Sequence, residues 1–209
     1  MPRQTRTPEE IREVKNKILE AALQSLVEEG FDRFSMRRLA SRLGMTAANI
    51  YNYYTNKDEL YIDIQTRGFE MLYDSIKEAC DAAGDPVEKL EKMIWAYIEF
   101  GVNNSGYYNI MFSWNTPKYS DYIGTPLEQT SYLEKQTALK TAELAMEVIA
   151  GILSDRGLDT GEALYLTIKA WVTLNGLVSL INSRVLQEVD QNVEAVKQRI
   201  SEDLLAVLK

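Results

Sequence analysis

Apolar residues recur at three- and four-residue spacing along most of the chain, and no stretch alternates apolar and polar residues between hairpin turns. The pattern therefore predicts an all-α protein. The first helix opens at Thr7-Pro8-Glu9-Glu10, where a threonine N-cap precedes proline at N1 and acids in the first turn. Ile11, Val14, Ile18, Ala22 and Leu26 form one stripe, and Gly30 ends the helix. Ser35 caps a second helix that turns Met36, Leu39, Ala40 and Leu43 inward; Gly44 breaks it, and Thr46 caps a third that runs through Tyr53 or Tyr54. Lys57-Asp58-Glu59-Leu60 opens a long helix to about Ala83. Another covers Pro86 to about Asn103, with Leu90, Met93, Ile94, Tyr97 and Phe100 facing inward, and Ser105 to Phe112 forms a short one. Ser113 to Pro126 reads as an irregular loop. Three more helices are expected at about 126–155, 160–187 and 190–208, separated by Gly157 and the Asp190-Gln191-Asn192 turn.

Two short helices with a glycine in the turn between them have the form of a helix-turn-helix. Ala40 is small where the two helices approach. Ile50 and Tyr54 are expected to point into the core, leaving Asn49, Asn52 and Tyr53 to point outward. The helix expected at 160–187 is different: Leu164, Leu166, Ile168, Ala170, Val172, Leu174, Leu177, Val178, Leu180 and Ile181 encircle it. A helix apolar all round needs cover on every side. The cover is either a monomer core or a second subunit, and the expectation is a dimer, with Gly176 permitting close approach and the last helix (Val193, Val196, Ile200, Leu204, Leu205) completing a four-helix bundle. The interface residues expected are Ala170, Leu177, Leu180, Ile181, Val196 and Ile200. The chain is expected to divide into a helix-turn-helix head, residues 1–56, and a larger helical domain, residues 57–209, that forms the dimer.

Charge sharpens this division. The net charge of −8 is uneven: residues 1–57 hold ten Lys/Arg against seven Asp/Glu, a net of +3, and the rest carries −11. A basic head on an acidic body fits a chain in which only the head meets a polyanion, although so small an excess also arises by chance. The 209 residues contain no histidine, which removes Ser-His-Asp and Cys-His catalysis and histidine-ligated metals. The single Cys80 makes no intramolecular disulfide and no thiol pair for zinc, so neither metal nor cofactor is expected. No apolar run approaches the about 20 residues that span a bilayer, and the polar start MPRQTRTPEE lacks a signal peptide's apolar segment. The expectation is a cytoplasmic protein that uses no membrane.

The run ILEAALQSLVEEGFDRFSMRRLASRLGMTAANIYNYYTNKDELY, Ile18 to Tyr61, resembles the TetR family of bacterial transcriptional regulators. It fills the family's order of Ala-Ala, Gly-Phe, Ser, Ala, Gly, Ile-Tyr, then Lys, Asp and Leu, with Tyr54 where phenylalanine is usual. Ala170 to Leu180, AWVTLNGLVSL, is similar to the Trp-x-x-x-His-Gly run of one subgroup, with Asn175 in place of the histidine. The resemblance implies an all-helical dimer whose larger domain encloses a small-molecule pocket.

In helix-turn-helix geometry the second helix lies in the major groove, and two copies read the half-sites of a palindromic or near-palindromic operator in double-stranded DNA. Arg37, Arg42 and Lys57 are placed to reach phosphates, as are Ser35 and the backbone N–H groups at helix starts. Tyr51 and Tyr53 offer hydroxyls to phosphates. Base reading falls to Thr46, Ala47, Ala48, Asn49 and Asn52, with a bias toward A·T pairs, because asparagine contacts adenine and a methyl meets thymine's methyl. Arg3 and Arg6 are candidates for a minor groove, or for a solvated tail. The plainer alternatives are packing of Tyr51 and Tyr53 onto the next helix, a solvated face for the two arginines, and simple helix-start polarity for Lys57.

Aromatics and methionines cluster from Met93 to Tyr122, as either core or pocket lining. Tyr97, Met111, Trp114, Trp171 and Asn175 are the expected lining of a site for a small, largely apolar or aromatic effector. Together these readings describe a sequence-specific DNA-binding regulator, a homodimeric repressor released from its operator by ligand. The alternatives are a helical protein-binding adaptor that keeps the fold, and an enzyme built on carboxylates or tyrosines, for which no catalytic arrangement is recognisable.

Overall fold

A computed structural model of the chain describes residues 7–206. The tail arginines Arg3 and Arg6 and the last residues of the final expected helix lie outside the described residues. Eleven α-helices and no β-strand occur among the described residues. They are α1 (Pro8–Glu29), α2 (Met36–Arg42), α3 (Ala47–Tyr51), α4 (Lys57–Asp81), α5 (Pro86–Asn103), α6 (Ser105–Tyr108), α7 (Tyr119–Tyr122), α8 (Glu128–Asp155), α9 (Ala163–Asn182), α10 (Val185–Val189) and α11 (Val193–Ala206). Contacts group them into two compact units.

The first unit runs through Arg67 and takes in Asn115–Glu134. Its helix starts are set by side-chain caps. Thr7 and Glu10 form a reciprocal capping box, with the Thr7 N–H donating to the Glu10 carboxylate at 2.8 Å. Ser35 and Thr46 each accept from the backbone N–H three residues on, at 3.3 and 3.2 Å. Asn56 Oδ1 accepts from the Glu59 N–H at 2.8 Å and opens α4. Gly44 turns the chain from α2 to α3 with φ 63°, a left-handed conformation that glycine adopts without a Cβ clash. Ile18, Ala22, Leu26, Met36, Leu39, Ala40, Ile50, Tyr54 and Leu60 are buried around this turn.

Two expectations are corrected here. The third helix ends at Tyr51, and only hydrogen-bonded turns carry the chain to Tyr54, whose N–H donates to Ile50 O at 3.1 Å. The segment expected to be an irregular loop contains α7. Beside α7, the Tyr61 hydroxyl donates to Thr116 Oγ1 at 2.7 Å in a buried contact, and the Tyr122 hydroxyl is buried without a hydrogen bond. Burial pushes the Glu134 carboxyl up to about 7, against the opposing pull of Lys118.

The second unit comprises Gly68–Trp114 and the chain from Lys135 onward. Helix α5 is its axis, with Leu90, Met93, Ile94, Ala96, Tyr97, Ile98, Phe100 and Gly101 all buried. Phe69, Leu72 and Ile76 of α4, Ile149, Ile152 and Leu153 of α8, and Leu174, Leu177, Val178 and Ile181 of α9 complete the core. The short helix expected from Ser105 to Phe112 is α6 followed by a π-helical turn, Asn109–Ser113. The helix expected to reach 187 stops at Asn182, because Arg184 takes a left-handed conformation (φ 61°) and α10 starts afresh. Its N–H turns back to Ile181 O at 3.0 Å, a tight closure of the last turn that no glycine announces.

Helix α9 is buried on one side only. Ala163, Thr167, Leu174, Leu177, Val178 and Ile181 face the core, while Leu164, Tyr165, Ile168, Trp171, Val172 and Leu180 are exposed. The segment Thr160–Asn182 is long and apolar enough to cross a bilayer by length and composition, which corrects the expectation that no run comes close. Its inward face belongs to the core of this unit.

The Glu134 environment has a measurable consequence. Between the ordinary carboxyl value of 4.5 and about 7 the folded chain holds a proton that the unfolded chain has released. The contribution of Glu134 to stability is therefore full below about pH 4.5 and declines as pH rises toward 7. Glu134→Gln should flatten the dependence and stabilise the protein by roughly 1–3 kcal/mol at about pH 8 in urea denaturation. Identical pH profiles for the two proteins would refute this account.

Candidate functional site

The helix-turn-helix presents a short polar face anchored from behind. Ile50 is fully buried, and Tyr54 is buried with its hydroxyl donating to Asp63 Oδ2 at 2.6 Å. The Lys15 ammonium lies 4.8 Å from the centre of the Tyr54 ring. With these anchors inside, Thr46, Ala48, Tyr51 and Asn52 are exposed, and Ala47 and Asn49 are half-buried. Tyr53, expected to project freely, is half-buried and engaged with neighbouring groups.

The cations expected at phosphates differ from one another. Arg37 is exposed and makes no ion pair among the described residues. Arg42 is held by Glu28 of α1 through two hydrogen bonds of 2.7 and 3.1 Å, with a third to Ser25 Oγ at 3.3 Å. That contact holds the Glu28 carboxyl below the usual carboxylate range. The Lys57 ammonium lies over the Phe31 ring, 4.3 Å from its centre, and Phe31 meets the Tyr61 ring edge-on. Arg38, absent from the expected set, pairs with Glu29 at 2.7 Å. Ser35, Arg38 and Arg42 line an open cleft of about 330 Å³ between α1 and α2. No pattern in the sequence marks these α1–α2 pairs, since the partners lie on different helices.

In the second unit, Tyr97, Trp171 and Asn175 come together around two residues outside the expected five. The Phe112 ring meets those of Phe69, Tyr97, Tyr108 and Trp171, with centroids 5.6, 6.3, 5.1 and 6.2 Å away. The Tyr108 hydroxyl donates to the Asn175 side-chain oxygen and lies 3.1 Å from its backbone carbonyl oxygen. Burial pushes Tyr108 up to about 12 and raises Tyr97 further still. Met111 is buried, its sulfur close against Gly68, while Trp114 is half-buried and makes no ring contact with the others. A smaller cavity of about 20 Å³, lined by residues including Leu90, Ile149 and Ala170, lies apart from this group.

Of the expected interface residues, Leu177 and Ile181 are inside the chain's own core. Ala170, Val196 and Ile200 are half-buried and Leu180 is exposed.

Comparison with known proteins decides the family. Residues 18–64 match the bacterial regulatory proteins of the tetR family, and residues 90–204, more than half the chain, match the tetracyclin repressor-like C-terminal domain. The chain belongs to the TetR family. Among curated TetR-type relatives, the transcriptional activator FasR of Mycolicibacterium smegmatis is 24% identical over 151 residues, 72% of this chain and 64% of FasR. The alignment thus spans less than two thirds of that relative. A Rhodococcus sp. RHA1 protein of unknown function shares the fold, with a TM-score of 0.76 and 16% identity, over 99% of this chain and 97% of that one. So does the regulator FadR of Bacillus subtilis, solved in complex with stearoyl-CoA, with a TM-score of 0.69 and 14% identity over 91% and 97%. This TetR-family chain is accordingly a transcriptional regulator with a helix-turn-helix DNA-binding domain.

The aromatic group depends on how closely α5 and α9 approach. A Cβ placed on Gly101 would stand 2.6 Å from Val178 Cγ1 and 3.1 Å from the Tyr108 ring. Gly101 O also accepts from Asn182 Nδ2 at 3.0 Å. Gly101→Ala should therefore force the helices apart and lower stability by roughly 1–3 kcal/mol. The check is a thermal melt followed by circular dichroism; an unchanged Tm would mean that the contact gives way freely.

Proposed function

We propose that this chain is a homodimeric repressor that reads a palindromic operator through α3 and leaves it when a small, largely apolar ligand binds the second unit. The observation that carries the reading is the division of α3. Ile50 and Tyr54 hold it from the inside, and its uncharged outer face of Thr46, Ala48, Tyr51 and Asn52 is open, while Arg37 of α2 is exposed and makes no ion pair among the described residues. Asparagine and methyl groups suit base edges, and a free guanidinium suits a phosphate. Ser35, Ala47, Asn49, Tyr53 and Lys57 belong to the same proposed surface, while Arg42 would reach a phosphate only by exchanging it for Glu28.

Dimerisation is supported by the outer face of α9. Leu164, Ile168 and Val172 follow at four-residue spacing and are 59%, 46% and 64% exposed. A Cβ on Gly176, on the same helix, would meet nothing, so a second helix has room to approach there. A second copy of the chain is the proposed occupant, with Leu180 at its edge. The ligand reading is supported by the aromatic group around Phe112 and, by analogy, by the stearoyl-CoA bound to FadR. A ligand that favours one spacing of the two heads shifts the dimer off its operator by differential affinity. The same device activates where the operator lies differently relative to the promoter.

Two measurements test this. In titrations of DNA from upstream of the gene against salt, log Kobs should fall linearly with log salt concentration. Arg37→Ala should reduce the slope by about 1–2, and Asn52→Ala should weaken specific binding by roughly 10- to 100-fold with little change in non-specific binding. Equal losses on both DNAs would count against base reading, and salt-independent binding would favour the adaptor. Separately, Val172→Asp should convert a dimer to a monomer in analytical ultracentrifugation while the helical circular dichroism persists. A dimer of unchanged affinity would exclude this face.

A further inference from the structure

Lys57 stands where a cation is poorly placed. It opens α4, and the positive pole of a helix start repels an ammonium. It makes no ion pair among the described residues, and the Phe31 ring, 4.3 Å from the ammonium, supplies the attraction that holds it. Phe31 lies on the turn between α1 and α2, outside any helix, so its neighbours set its position. Its ring meets the Tyr61 ring edge-on, with centroids 4.9 Å apart. Tyr61 is 1% exposed, and its hydroxyl donates to Thr116 Oγ1 at 2.7 Å; the Lys118 ammonium reaches the same oxygen at 3.5 Å. Thr116 is buried on the stretch 115–118, which has no regular secondary structure. All of these groups belong to the first unit, and the stretch is where the chain arrives from the second, whose segment ends at Trp114. Three contacts in series thus join a cation of the head to an irregular stretch far along the chain.

We propose that Tyr61 and Thr116 are positioning residues for DNA binding. Their hydrogen bond fixes the Tyr61 and Phe31 rings, the rings fix the Lys57 ammonium, and displacement of the stretch 115–118 frees Lys57 and weakens one phosphate contact within each head. The inference rests on Lys57 as a phosphate contact and goes beyond that reading by naming what sets the strength of the contact. An ammonium has three N–H donors, so one ring face leaves others for a phosphate oxygen. A lysine already held in place has lost the rotamer freedom that binding would otherwise cost, roughly two- to tenfold in affinity for one flexible side chain. This control acts on each head separately and needs no change in the spacing between two heads.

The test uses the full chain and two readouts. In the free protein the Phe31 ring current should displace the Lys57 Hε resonances upfield. They should return to the values of a solvated lysine in Thr116→Val and in Tyr61→Phe, while Thr116→Ser, which keeps the hydroxyl, retains the displacement. On a mixed-sequence DNA duplex, Lys57→Gln should lower the salt slope by about 1. Thr116→Val and Tyr61→Phe should each weaken binding roughly two- to tenfold when Lys57 is present, and cause no further loss when combined with Lys57→Gln. A head that is merely destabilised loses affinity in both backgrounds. Resonances that stay displaced in both variants, or equal losses with and without Lys57, overturn the positioning role and leave the phosphate contact standing. A salt slope unchanged by Lys57→Gln overturns the phosphate contact and the inference with it.

Discussion

A helix of five residues does not hold itself together in water, because nucleation alone fixes several dihedrals for one hydrogen bond. Helix α3 is that short, and the rest of the head depends on what keeps it helical. Thr46 supplies the cap, the left-handed turn at Gly44 aims the chain, and Ile50 and Tyr54 clamp the inner side. Tyr54 does more than fill space: its hydroxyl reaches Asp63 of α4 and its ring lies under Lys15 of α1. One side chain thus ties the turn that follows α3 to the helices before and after it. The phenylalanine expected at this place in the family would keep the packing and lose the hydrogen bond.

The lack of charge on α3 follows from the same arrangement. Positive charge in the head is held at its margins, and most of it is already engaged: Arg42 with Glu28, Arg38 with Glu29, and Lys57 over Phe31. These contacts are exposed or half-exposed, so each contributes little to stability. Their effect is to restrict where the cations sit. Arg37 alone among the three cations expected at phosphates is left without such a restraint among the described residues.

In the second unit the limiting feature is the contact of α5 with α9 at Gly101 and Val178, which brings Asn175 within reach of Tyr108 and sets Trp171 against Phe112. The same contact uses only half of α9. The apolar residues that encircle that helix serve two surfaces: Leu174, Leu177, Val178 and Ile181 belong to the chain's own core, and Leu164, Ile168 and Val172 to the exposed face.

Helix positions were legible in the sequence because caps, glycine stops and apolar spacing are local signals, and the starts at Pro8, Met36, Ala47, Lys57 and Pro86 all agree with them. The family was legible for a related reason: the helix-turn-helix is a compact run of residues whose anchors and turn sit at fixed spacings. What the local pattern left open was decided by contacts between distant residues. The end of α9 was misplaced because a left-handed arginine carries no glycine signal. The division of the apolar girdle of α9 into inner and outer faces needed the position of α5. The engagement of Arg42 by Glu28 and of Asn175 by Tyr108 exists only once separate helices meet. Local sequence therefore determined most of the longer helices and what kind of head they build, but not α7 or the restart at α10. Tertiary packing decided which side chains remain free, because partners in three dimensions leave no periodic trace along the chain.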